Sequence, residues 1–170
     1  MNMFRIAVAV SVLFGISGRA AFAASSSLDC LHFLVGAWSG DSTGADHGTG
    51  FFRFEPKMGG KVLLRTNHAD YPAQDGRPAS VHDDFMAIES GSSDLKATYV
   101  DNEGNAILYS VRCGGDEKSA VFLSRSEPGY PQFRLSYSAT NDGALAGLFE
   151  IAPPGGDFSP YKRWTGRPRR

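Results

Sequence analysis

Two of the chain's four histidines, His68 and His82, stand among residues with which they could share a task. Thr66, His68 and Asp70 alternate along one stretch, and His82 and Asp84 along the next. Gln74-Asp75-Gly76 between them reads as a turn. Pairing across that turn sets His68 opposite His82 and Thr66 opposite Asp84. Side chains two apart on a strand share a face, so the five residues gather into one polar patch. Opposed Cβ atoms in such a pair lie about 5 Å apart. Imidazole next to carboxylate can bond the polar group of a ligand, hold a metal or act as a general base. Against these stands a plainer reading, in which both histidines satisfy loop backbone or sit on a rim. A register slip of one residue would also part them onto opposite faces. The patch, with Tyr109 and Tyr137 added from later strands, is assigned to ligand binding, with no catalytic or metal-holding residue assigned.

Asp101, Asn102 and Glu103 precede Gly104. The cluster offers oxygen ligands for calcium, but Asn-Glu-Gly-Asn is also plain hairpin-turn chemistry, and that is the expectation. His47 reads as a loop residue and His32 lies close to Cys30; neither has a nameable partner. Phe52, Phe54, Tyr99, Tyr109, Phe122, Phe133 and Tyr137 fall at strand spacing, as core or as the lining of a cavity. There is no G-x-S-x-G elbow, P-loop, H-E-x-x-H or dinucleotide fingerprint, so no motif announces an enzyme.

The elements that must position these residues are strands. Met58-Gly59-Gly60, Gln74-Asp75-Gly76, Ser90-Gly91-Ser92, Asn102-Glu103-Gly104-Asn105, Gly114-Gly115-Asp116, Pro128-Gly129-Tyr130-Pro131 and Asn141-Asp142-Gly143 punctuate the chain at hairpin intervals. Alternation is clean in Phe133, Leu135 and Tyr137, in Ile107, Tyr109, Val111 and Cys113, and in Leu145, Gly147, Phe149 and Ile151. A single helical turn fits Leu28 to Leu34, and Pro153-Pro154-Gly155-Gly156 forms the last loop before a strand near Tyr161 to Thr165. About nine or ten antiparallel strands left open would expose two edges, which closure removes. The expected fold is all-β, a single antiparallel up-and-down barrel over residues 24–170, with room inside for one small ligand.

Residues 1–23 read as a cleavable signal peptide: Arg5, an apolar run from Ile6 to Ile16, and Ala21-Phe22-Ala23 before the cut. A periplasmic or secreted location follows, with no membrane-spanning segment after cleavage. The whole chain carries a formal charge of -1; losing Arg5 and Arg19 makes it about -3 by simple counting. That offers no broad basic face for nucleic acid. Cys30 and Cys113, the two cysteines, are expected to pair in an oxidising compartment, stabilising the fold by roughly 4 kcal/mol. A redox or metal-binding pair would want C-x-x-C spacing, which is absent.

Phe33-Leu34-Val35-Gly36-Ala37-Trp38, Asn67-His68-Ala69-Asp70-Tyr71-Pro72, His82-Asp83-Asp84-Phe85-Met86, Asp101-Asn102-Glu103-Gly104, Phe149-Glu150-Ile151-Ala152-Pro153-Pro154-Gly155 and Tyr161-Lys162-Arg163-Trp164 resemble a family of exported bacterial lipocalin-like domains of unknown function in the calycin superfamily. The resemblance covers nearly the whole mature chain. It implies that Trp38, after Gly36, plugs the closed end, with Arg163 or Arg167 packed across it. A more distant likeness is to nitrobindin-like haem barrels, but their late-chain histidine has no counterpart after His82, so haem is not expected. The sequence thus points to an exported barrel that binds a small, largely apolar molecule, with the histidine patch as its polar contact at the rim. A small-barrel hydrolase or isomerase using a His–Asp pair, and an envelope protein with a filled barrel, remain the alternatives.

Overall fold

The computed structural model describes residues 27–42, 48–74, 76–91 and 94–169; the expected signal peptide lies outside them. The strands are β1 (Gly36–Ser42), β2 (Thr49–Lys57), β3 (Val62–Tyr71), β4 (Ser80–Ser90), β5 (Leu95–Asp101), β6 (Ala106–Cys113), β7 (Ser119–Ser124), β8 (Gln132–Ala139), β9 (Leu145–Ala152) and β10 (Ser159–Pro168). Each pairs antiparallel with the next, and β10 returns to β1 through Trp38↔Pro168 to Ser42↔Trp164. The result is the expected all-β up-and-down barrel. Glycine-bearing turns fall where the sequence puts them, Gly104, Gly129 and Gly143 each at positive φ.

The two ends differ. Leu28–Leu34 forms a 3-10 helix whose first turn is capped by the Ser27 hydroxyl, which accepts from the Asp29 amide at 3.1 Å. Its Leu31 and Leu34 are fully buried in the core. The Cys30–Cys113 disulfide ties this segment to the end of β6. Trp38 lies just above, its indole N–H donating to the Leu34 carbonyl at 3.0 Å and its ring stacked near Phe52. Here the structure corrects the sequence reading of the plug. Arg163 and Arg167 alternate with the inward Trp164 and Gly166, so both point outward and are exposed. Arg167 sits 3.5 Å from Asp142. Among the described residues the arginine inside the barrel is Arg65, on β3, 5.9 Å over the Phe52 ring.

Above the plug, Phe52, Phe54, Phe122, Tyr137 and Trp164 pack tilted or edge-to-face, with ring centroids 5.5–6.3 Å apart. A Cβ on Gly147 would stand 2.1 Å from the Trp164 ring, and one on Gly166 2.5 Å from Phe52. The two glycines make the space these aromatics fill. The register shifts between Pro160 and Lys162 on β10, a bulge that leaves Tyr161 exposed. On the outer face Arg134 grips Glu150 through two bonds of 2.6 and 2.8 Å, and its guanidinium lies 4.2 Å over Phe158. That clasp fastens the β9–β10 loop to the wall.

Candidate functional site

The β3–β4 hairpin decides which polar side chains enter the barrel. Gln74 bridges Arg77 around a two-residue tip, within the turn region the sequence marks. Such a tip pairs Asn67 with Asp84, His68 with Asp83 and Ala69 with His82. The expected pairing is therefore one residue out, and the single patch is corrected to two. Arg65, Asn67, His82 and Asp84 point inward. Thr66, His68 and Asp70 point outward with Asp83.

The outward set is small. His68 Nδ1 is 2.7 Å from Asp83 and Nε2 is 3.3 Å from Asp70. The hydrogen bond to Asp83 foremost, with Asp70 assisting, raises the imidazole above its ordinary value. The ring lies against Phe51, and Thr66 is exposed.

The inward set is a connected network. Arg65, 6% exposed, donates from Nη1 to Asp84 Oδ1. Burial disfavours its charge, but the Asp84 carboxylate, with Tyr137 and Tyr99 adding to it, outweighs this and raises its pKa. Asn67 Nδ2 donates to Asp84 Oδ2 at 2.9 Å, and His82 Nε2 meets the same oxygen at 3.1 Å. His82 Nδ1 lies 3.0 Å from Glu103 Oε1. Ionised carboxylates only accept, so the ring donates from both nitrogens. The bond to Asp84 raises His82 above the usual imidazole value against the burial that lowers it, and Glu103 adds to the rise.

Tyr99, from β5, bridges onward: its hydroxyl is 3.2 Å from His82 Nε2 and donates to Asp101 Oδ2 at 3.0 Å. Burial first, then Asp84 and Asp101, push this phenol above its ordinary value. Asp101 shapes the following turn by accepting from the Glu103 and Asn105 amides at 3.0 and 2.8 Å and from Asn105 Nδ2 at 2.9 Å. Burial works to raise the Asp101 carboxyl, yet the bonds from Asn105, Tyr99 and the Glu103 backbone hold it below the usual range. The turn chemistry expected of Asn102 to Asn105 is present, and it also carries Glu103 to the barrel mouth.

This network forms one wall of a cavity of about 620 Å³ in the open half of the barrel. Facing it, β8, β9 and β10 contribute Phe133, Leu135, Phe149, Ile151 and Trp164. Tyr109 reaches the cavity and is nearly buried, so desolvation raises its phenol. Tyr137 stands one layer deeper among Phe54, Phe122 and Trp164; burial pushes its phenol up to about 12. At the mouth, the Lys162 ammonium donates to the Tyr71 hydroxyl at 2.5 Å.

Sequence reasoning missed Arg65 and Asn67 as partners of Asp84, and Tyr99 and Glu103 as partners of His82. A signal existed for Arg65, since it alternates with Leu63 and so shares the face of a core residue. Fold and site together define a closed antiparallel β-barrel of calycin shape with a two-sided interior. Beyond that shape, the chain matches no known protein family and no curated protein.

Proposed function

We propose that this chain is an exported lipocalin-like barrel that binds one small amphipathic molecule in its open half. The observation that carries the reading is the opposition of the two cavity walls, aromatic on β8–β10 and hydrogen-bonding on β3–β5. A volume of about 620 Å³ falls within the roughly 300–1,000 Å³ of small-molecule sites. The polar contact now sits on an interior wall instead of the rim, which favours a ligand with a polar group along its flank. A cavity of this size also counts against a filled structural barrel.

The test is a native mass spectrum of protein recovered from its own compartment. A discrete organic mass, lost on denaturation, is the expected result. Titration with a panel of amphiphiles should quench Trp164, isolated by Trp38→Phe. A bare protein mass together with silence of Trp164 across the panel would overturn the reading. Leu135→Phe, which narrows the cavity without adding an indole, should weaken the response while circular dichroism shows the barrel intact.

A second reading rests on the same His82. An imidazolium held by Asp84 and Glu103, beside the Tyr99 phenol, suits general-acid chemistry on a bound substrate. Turnover that disappears in His82→Gln while amphiphile binding persists would favour this enzyme reading.

A further inference from the structure

We infer that the wall of the cavity also holds a divalent first-row metal ion, bound by His82, Asp101 and Glu103. One ligand atom from each of these three residues lies within 4.8 Å of the other two. The His82 Nδ1 to Glu103 Oε1 separation of 3.0 Å is a few tenths of an ångström short of the roughly 3.4 Å between two ligands of a tetrahedral ion with bonds of about 2.1 Å. The set joins two separate pieces of chain: β4, and the end of β5 with the turn that follows it.

A second feature lies outside the three residues. The far nitrogen of His82, Nε2, is held at 3.1 Å by Asp84. That carboxylate is itself buried and fixed by Arg65 and Asn67. A carboxylate behind a histidine is the arrangement that orients a metal-binding imidazole and strengthens its basicity. It leaves Nδ1 as the ligating nitrogen, turned toward Glu103, its proton passing to solvent as the metal arrives. The interior charges agree: Arg65 cancels Asp84, so once His82 has given up its proton Asp101 and Glu103 remain as the negative pair a cation would neutralise.

The donor set chooses among metals. One imidazole and two carboxylates, with no thiolate, suit Zn²⁺ or Co²⁺. Calcium takes six to eight oxygens and has no use for the ring. Three protein ligands leave at least one position open, and all three residues line the cavity, so that position is available to a bound molecule.

The experiment is calorimetric titration of the untagged mature protein with Zn²⁺ alone, and with Co²⁺ followed by its visible absorption. One ion per chain is expected, weakened about tenfold or more in Glu103→Gln and in His82→Gln. Glu103 is exposed on a turn, so its variant should fold as the parent does, checked by circular dichroism. Excess Ca²⁺ should leave Zn²⁺ in place. Absence of Zn²⁺ binding by the folded parent, or equal affinity in Glu103→Gln, would overturn the site. The metal is probed alone, so failure here leaves the small-molecule reading standing, and a silent amphiphile panel leaves this one standing.

Discussion

At the scale of single residues, Arg65 and Asp84 form the most deeply buried ion pair among the described residues. Both side chains are nearly excluded from solvent. Arg65→Met strands a carboxylate in the barrel, and the expected loss is about 3–5 kcal/mol, read as a fall in the urea midpoint. Adding Asp84→Leu should recover most of that loss, because the double variant buries no charge. His68 illustrates the opposite case, a charge pair in water. Its folded pKa is raised by Asp83 and Asp70, so its contribution is fully present below about pH 6.5 and is lost as pH climbs through the folded value. Proton NMR should place its midpoint above that of a free imidazole, and Asp83→Asn should bring it down. High salt should shrink the difference, as it does for exposed pairs.

At the scale of elements, the strands were legible because glycine, proline, asparagine and aspartate mark their ends and apolar residues mark their inner faces. Leu135 and Tyr137, Val111 and Cys113, and Leu145 all turned inward as their alternation implied. Register was another matter. The turn region between Gln74 and Arg77 located the β3–β4 hairpin, yet a single step in how its strands pair put the His68 side chain on the face opposite His82. The inward Arg65 was obscured because charge ordinarily marks a solvent face, and only its three-dimensional partner Asp84 makes it tolerable inside. β10 does not supply the expected cover for Trp38, because Arg163 and Arg167 stand on its outer face. Gly147 on β9 shows how tightly neighbouring elements fit: its missing side chain is the space occupied by Trp164. Gly147→Ala should cost about 1–3 kcal/mol through overpacking, and a shifted Trp164 emission should accompany the lowered melting temperature.

For the molecule as a whole, closure between β1 and β10 leaves no sheet edge, and the disulfide joins residues 83 apart in sequence. Replacing both cysteines by serine should lower stability by about 2–5 kcal/mol, seen by calorimetry, while far-ultraviolet circular dichroism keeps its strand signature. The stoppered end built from Leu31, Leu34 and Trp38 has a kinetic consequence. A guest in the cavity must leave by the mouth through which it entered, and a newcomer cannot push in behind it. Exchange is then dissociative: the rate at which a labelled guest departs should stay constant however concentrated its competitor becomes. The barrel would behave as a vessel with a fixed residence time, releasing its contents on its own clock instead of on demand.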